Sequence, residues 1–214
     1  MSEVRPAALT DVEACARVLA AAFQDDPGTM VFEPDPDRRA ELLPPFFRTF
    51  VAASIAEGGG IVVSGDPVSG VASWFGPERH GPSPDAMGAH GFGDVLERSG
   101  PEASQRLLAM VGEIEAQHER LMHGEHLRLQ FYGVEPVHQR SGIGSALIDH
   151  GHRRADGLGL PCYLETFAEA NVRFYEHRGY QIAGEFTIGD GTRGYGMLRE
   201  PSTPGPSANG DPTL

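Results

Sequence analysis

The segment Gln139-Arg140-Ser141-Gly142-Ile143-Gly144-Ser145-Ala146 constrains this chain most. It follows an extended stretch, Leu127 to Val134, that ends at Glu135-Pro136, and it opens a helical stretch, Ile143 to Gly157. A strand, a glycine-containing turn and a helix start together make an anion site. The first N–H groups of a helix have no partner within it, and the helix dipole adds partial positive charge at the same end. A phosphate is held there without a lysine. Gly142 and Gly144 remove side chains where a pyrophosphate has to approach the backbone closely. The chain is therefore expected to hold a phosphate-bearing ligand.

Two familiar phosphate sites fail on the residues. A dinucleotide fingerprint needs a third glycine at position 147, which is Leu147, and the turn sits late in the chain rather than in a first βαβ unit. A P-loop needs Gly-Lys-Ser/Thr, which does not occur here.

Around this turn the pattern is mixed. Val4 to Ala8 predicts a short strand, and Thr10 with Glu13 has capping-box spacing. Val12, Cys15, Ala16, Leu19 and Phe23 then form one helical stripe, ended by Asp25-Asp26-Pro27-Gly28. A second helix is expected from about Asp37 to Glu57, with Leu42, Leu43, Phe46, Phe47, Phe50 and Val51 as its apolar face. Ile61 to Ser64 and Val71 to Phe75 read as a hairpin. From Gly76 to Gly100 the chain is rich in Gly, Pro and His with little periodicity, and is expected to be a long loop with at most short helical turns. Helical spacing returns at Leu107, Val111, Ile114 and Leu121. Pro161 to Thr166 reads as a strand, Ala170 to Arg178 as a short helix, and Tyr180 to Ile188 with Tyr195 to Arg199 as a final strand pair. The whole is one α/β domain over 1–200, of mixed α+β type, with a disordered tail over 201–214.

The formal net charge of −13 argues against a nucleic-acid binder. Cys15 and Cys162 lie far apart, so neither a disulfide framework nor a cysteine metal site is expected. The nine histidines have no helical metal-ligand spacing beyond a loose His118 and His123 flanking Glu119, and no metal is expected. Without a leader pattern or an apolar run of ~18–20 residues, a cytoplasmic location away from membranes is expected.

About thirty residues after the turn stands Asn171-Val172-Arg173-Phe174-Tyr175-Glu176-His177-Arg178-Gly179-Tyr180. Gln139-x-x-Gly142-x-Gly144 resembles the acetyl-CoA pyrophosphate motif of the GNAT superfamily of N-acetyltransferases, and this second run resembles that superfamily's N-x-x-F-Y-x-x-x-G-F/Y signature. Leu127 to Pro136 is similar to its fourth strand and Tyr163-Leu164-Glu165-Thr166 to its fifth. Within it, Ala20-Ala21-Ala22-Phe23 and His138-Gln139 with Gly142 to Ala146 look most like the puromycin N-acetyltransferase group. Arg140-Ser141 and Ala168-Glu169-Ala170 depart from the usual residues at their positions; the first leaves the backbone donors in place, and the second changes the loop before Asn171.

The resemblance implies a central, mostly antiparallel sheet with parallel fourth and fifth strands that splay apart, helices on both faces, and acetyl-CoA as acyl donor. It implies contacts to the donor from Val134, Gln139, Arg140, Ser141, Gly142, Ile143, Gly144, Ser145, Asn171 and Tyr175. Tyr175 is then the candidate acid for the leaving sulfur, against a reading as a packed core aromatic. Asn171 is equally suited to cap a helix. Glu165 is a candidate base, with His126 and Glu125 as alternatives; Glu113, Glu115 and His118 read equally as a solvated helix face. Phe23, Trp74 and Phe75 are core residues or walls of an acceptor pocket. Expected acceptors are small-molecule amines, antibiotic-like ones among them, with a protein amine or a non-catalytic acyl-CoA-binding role as the competing readings. A monomer or a homodimer fits equally.

Overall fold

The structure, a computed structural model, describes residues 3–202. The expected tail lies outside the described residues from 203 onward. The first strand β1 (Val4–Pro6) leads through a 3-10 turn into α1 (Val12–Phe23). Thr10 is not the cap. Asp11 accepts the Ala8 N–H at 2.8 Å and pairs with Arg5, which closes this entry locally. A short helix the sequence did not suggest, α2 (Pro27–Phe32), follows at once, because Asp26 caps it by accepting from Gly28 N–H and Pro27 occupies its first turn. The long α3 (Pro36–Ala56) starts the same way, on Asp35 and Pro36.

After the hairpin β2 (Ile61–Ser64) and β3 (Gly70–Phe75), the stretch expected to be a loop is largely helical. Ser83 accepts from Ala86 N–H and starts α4 (Pro84–Ala89). Helix α5 (Phe92–Leu121) begins soon after and bends at Gly100, whose φ of 77° lies outside the helical region, with Pro101 opening its second segment. The remaining elements are β4 (Leu127–Val134), α6 (Ile143–Leu158), β5 (Cys162–Thr166), α7 (Glu169–Glu176), β6 (Gln181–Ile188) and β7 (Thr192–Arg199). No helix among the described residues is long and apolar enough to cross a membrane.

The strands form one seven-stranded sheet in the order β1-β2-β3-β4-β5-β7-β6, in which β4 and β5 alone run parallel. Alternation sorts the two faces. Ile61, Val63, Val71 and Phe75 pack with α1 and α3, whereas Val62, Ala72 and Trp74 pack with α6. Along β4 the parity changes. Leu127 and Leu129 lie on the α6 side, and so do Tyr132 and Val134. The register slips at that point, with Ser73 opposite Phe131 and Trp74 opposite Leu129. Gln130 is therefore the extra residue of a bulge, and it bends β4 in mid-sheet.

Strands β4 and β5 pair only from Leu127/Cys162 to Leu129/Leu164. Beyond that, β4 continues to Val134 against β3 alone, and β5 continues to Thr166 against β7 alone. The splay expected from the resemblance is present.

Candidate functional site

The splay opens a cavity of about 840 Å³, within the usual range for small-molecule sites. One half is made from the sequence motifs. Gln139, Arg140, Gly142, Gly144, Ser145, Asn171 and Tyr175 line it, as do Tyr132 and Val134 of β4. The Glu135 N–H bonds to Ser69 O on the β3 side. Strand alternation then sends the Val134 N–H the other way, into the gap. The Gln139 amide donates to Val134 O at 3.3 Å and fastens the turn to the strand end.

Two residues of this turn are left-handed, Arg140 at φ 61° and Gly142 at φ 91°. Gln139 N–H bonds to Pro136 O and Ala146 N–H to Gly142 O. Between them, the N–H groups of residues 140–145 have no protein acceptor among the described residues. A run of free donors at a helix start is an anion cradle, so the residues present fit a pyrophosphate. The two glycines differ in their work. A Cβ on Gly142 would meet open space, so this position needs glycine for its backbone angle. A Cβ on Gly144 would collide with the Tyr132 hydroxyl, so this glycine lets α6 sit down on β4. Of the other expected contact residues, Ile143 is buried against the core and Ser141 is exposed with its hydroxyl donated to His138 O; neither side chain lines the cavity.

The sequence did not single out Arg178. It lines the cavity, donates to Ser145 Oγ at 2.8 Å and stacks on Phe174 at 3.6 Å. It places a fixed cation beside the turn. Tyr175 is buried between Phe174 and Tyr180, and its hydroxyl titrates well above the usual tyrosine range because of burial and the neighbouring Tyr132. It therefore remains a proton donor through neutral pH. The Asn171 amide reaches Thr166 Oγ1 at 3.4 Å, and Ala168 rather than Asn171 occupies the cap position of α7.

The other half of the cavity comes from four separate elements. Phe23 of α1, Phe46 and Phe47 of α3 and Phe131 of β4 form an edge-to-face aromatic wall, with centroids 5.2 to 6.2 Å apart. Leu107, Met110, Val111, Ile114 and Glu115 supply a stripe of α5 at helical spacing. No residue of 76–100 lines the cavity; the part of the chain between β3 and β4 that does is 107–115. Trp74 and Phe75 are core: Trp74 lies under Gly151 of α6 and donates to Leu147 O, and Phe75 packs on Phe50.

Three carboxyl groups face this space. Glu165 is buried and held by Arg128, with contacts of 2.9 and 3.3 Å; burial pushes its pKa up and Arg128 opposes the rise. Arg128 also grips Glu115 at 2.7 and 2.9 Å. Burial pushes Glu115 up, but His118 and Arg128 outweigh it and hold it down at about 2. Asp26, from the α1–α2 junction, has no ion-pair partner among the described residues, and burial pushes it up despite the bond from Gly28 N–H.

His126 stands apart from the cavity. It is buried at the foot of β4 against His118 and His80, and burial pushes its pKa down. Glu125 and Glu113 do not line the cavity either; Glu113 instead accepts the Gly189 N–H.

The sheet order, the single parallel pair and the splay define the GNAT acetyltransferase fold, and residues 103–182 match the acetyltransferase (GNAT) domain family. Residues 103–182 thus resemble a GNAT acetyltransferase domain, within a chain whose whole sheet has that fold. Over 84 residues it is 33% identical to an uncharacterised N-acetyltransferase of Schizosaccharomyces pombe, a match covering 36% of this chain and 35% of that protein. The chain thus aligns with about a third of the length of this relative. A structure from Corynebacterium glutamicum, described as histone acetyltransferase HPA2 and related acetyltransferase, superposes with a TM-score of 0.65 at 25% identity, covering 95% of this chain and 98% of that one. PaiA N-acetyltransferase of Thermoplasma acidophilum, in complex with coenzyme A, superposes at 0.55 with 11% identity, covering 94% and 99%.

Proposed function

We propose that the protein is an acetyl-CoA-dependent N-acetyltransferase that moves the acetyl group directly, in a ternary complex, to a primary amine on a small molecule with an apolar body. The observation that carries this reading is the continuity of one cavity between the free N–H groups at 140–145 and the aromatic wall of Phe23, Phe46, Phe47 and Phe131. An acyl donor anchored at the first end and an amine seated at the second meet at the splay, which is what direct transfer requires.

The pyrophosphate takes the donors of residues 140–145, with Arg178 adding charge. The open edge of β4 would hold the pantetheine arm, and Val134 N–H, which points into the gap, would donate to the acetyl carbonyl as negative charge develops. The amine nitrogen attacks the thioester carbon and the carbon–sulfur bond breaks. Tyr175 gives its proton to the leaving sulfur. The proton lost by the amine goes to Asp26, because this is the cavity carboxyl with no cation bound to it. Glu165 and Glu115 are committed to Arg128, and protonating either would break a buried ion pair. Their part is to hold the floor of the acceptor end. A size of about 840 Å³ and an apolar wall favour a small amine over a protein chain, and aromatic or antibiotic-like amines such as puromycin suit the wall.

The test is release of free thiol from acetyl-CoA against a panel of amines that includes puromycin, polyamines and arylalkylamines, run beside thermal shifts with coenzyme A. A rise in Tm together with turnover on an apolar amine is expected. No Tm rise at millimolar coenzyme A sinks the donor assignment; a Tm rise without turnover on any amine leaves only an acyl-CoA-binding role.

A further inference from the structure

On the far side of Arg128 from the acetyl-transfer cavity, three histidines converge. His80 lies on the loop after β3, His118 in the last turn of α5, and His126 just before β4. The topology makes this meeting unavoidable. Phe75 at the end of β3 pairs with Arg128 at the start of β4, so the loop leaving β3 passes beside residue 126. The connection 122–126 is short, so the end of α5 must fold over the same spot. One ring nitrogen from each histidine lies within 4.8 Å of those of the other two.

The hydrogen bonding within the cluster leaves one buried ring nitrogen, His80 Nε2, without a partner among the described residues. His126 Nδ1 lies 2.8 Å from Gly124 O. A carbonyl only accepts, so the His126 proton sits on Nδ1 and its Nε2 carries a bare lone pair. His118 Nδ1 faces the Glu115 carboxylate at 3.6 Å, beyond hydrogen-bonding distance, so this contact does not set the His118 tautomer. The two Nε2 atoms approach to 2.7 Å. A neutral His118 with its proton on Nε2 closes this contact by donating to His126 Nε2, and an ion held between the two nitrogens closes it as well. His80 Nε2 is buried and has no hydrogen-bond partner among the described residues. A carbonyl and a carboxylate behind the ring nitrogens are the outer partners that metal-binding imidazoles use.

We propose that His80, His118 and His126 form a metal site for a borderline divalent cation, with zinc as the expected occupant. Three neutral imidazoles at metal–nitrogen distances of ~2.0–2.1 Å, with water in the fourth position, satisfy each of these lone pairs. The nitrogens already lie within 4.8 Å of one another, and His80, which stacks nearly parallel on His126 at 4.0 Å, has to turn its ring to bring its lone pair onto the same ion. His80 is half-buried and gives the ion a way in. The positive charge of Arg128 nearby is covered by Glu115 and Glu165. Such an ion ties the β3–α4 loop and the end of α5 to the foot of β4, directly behind the side chains that floor the acceptor end.

The rival account is a cluster with no ion bound, in which a neutral His118 donates from Nε2 to His126 Nε2. Full-length protein is stripped with a chelator and titrated with zinc chloride by calorimetry, and with cobalt(II) by visible absorption. The expected result is one zinc per chain, a rise in Tm, and the intense visible bands of four-coordinate cobalt. His80→Asn removes a ligand from a partly exposed loop and should weaken binding at least about tenfold while melting like the parent in chelator. His123→Asn, outside the cluster, should bind like the parent. Stoichiometry well below one, an octahedral cobalt spectrum, or full affinity in His80→Asn each overturns the proposal. If His80→Asn fails to fold, His126→Gln gives the same reading.

Discussion

Arg128 sits between two carboxylates of unequal burial, and the inequality makes its removal a quantitative test. Its side chain is 2% exposed, that of Glu165 6%, and that of Glu115 44%. Arg128→Met leaves the Glu165 charge buried, with no other ion-pair partner among the described residues. Breaking a buried pair from one side costs about 3–5 kcal/mol. At about 2–4 °C per kcal/mol for a domain of this size, the expected fall in Tm is roughly 6–20 °C. Glu115, half in water, adds little to that cost. Glu165→Gln is milder, about 1–2 kcal/mol, because the amide oxygen still accepts from Arg128 and Glu115 still neutralises it. The double variant Arg128→Met/Glu165→Gln should melt above Arg128→Met alone, since no buried charge is left unpaired. Thermal melts of the three variants decide the matter, and kinetics add a second reading. If Glu165 holds the floor rather than accepting the amine proton, Glu165→Gln keeps kcat within about threefold of the parent. The reasoning fails if Glu165→Gln destabilises as much as Arg128→Met, or if the double variant is no better than Arg128→Met.

Tyr175→Phe should lower kcat about a hundredfold with little change in KM for acetyl-CoA; because burial holds the Tyr175 proton on past the usual tyrosine range, the loss should be the same at every pH assayed near neutrality. An unchanged kcat removes the acid role. Asp26→Asn should abolish the acidic limb of the kcat/KM profile, since the parent gains activity as Asp26 ionises on raising the pH through its elevated pKa. The same shift has a sign for stability: a carboxyl with a raised folded pKa favours the fold when protonated and loses that contribution as pH rises through it. Asn keeps the α2 cap, so Asp26→Asn should melt at or above the parent at neutral pH; a lower Tm there contradicts the assigned burial effect. Gly142→Ala forces a side chain into a left-handed backbone, costing about 1–2 kcal/mol. It should raise KM for acetyl-CoA more than it lowers Tm, whereas Gly144→Ala, meeting Tyr132, should lower Tm first.

Much of the fold was legible because local signals agreed with one another. The α1 stripe through Cys15, Ala16 and Leu19 is fully buried, and α3 and the β2–β3 pair fall where their periodicity put them. The stretch 76–100 misled for a physical reason. Its helices are held by caps and short-range geometry, Ser83 on Ala86 and the left-handed Gly91, and they bury few side chains. Periodicity reports burial, so a helix with little buried surface writes little of it into the sequence. The bulge at Gln130 was readable in principle from the change of parity between Leu129 and Tyr132, but only once the face belonging to α6 is known.

The two halves of the cavity differ in legibility for the same reason that they differ in chemistry. A pyrophosphate is recognised by consecutive backbone donors, so a site for it must be a continuous run, and the free N–H groups of residues 140–145 are such a run. The proposed acceptor, an amine with an apolar body, would be recognised by a concave wall, and a wall is built from whichever elements surround the splay. Here these are Phe23, Phe46 and Phe131, and a stripe of α5 from Leu107 to Glu115 that in sequence reads like any core-facing helix. What separates that stripe from core is exposure: Leu107 is buried, while Val111 four residues on is 42% exposed. Periodicity gives the direction a face points but not whether another element covers it. The carboxyls carry the same lesson. Glu165, Glu115 and Asp26 are equivalent as letters, and the position of Arg128 decides among them. By engaging the first two it leaves Asp26 without a cation, which is why Asp26 is the proposed proton acceptor, and that proposal depends on a cation that follows the parallel pairing of β4 with β5 rather than any spacing along the chain.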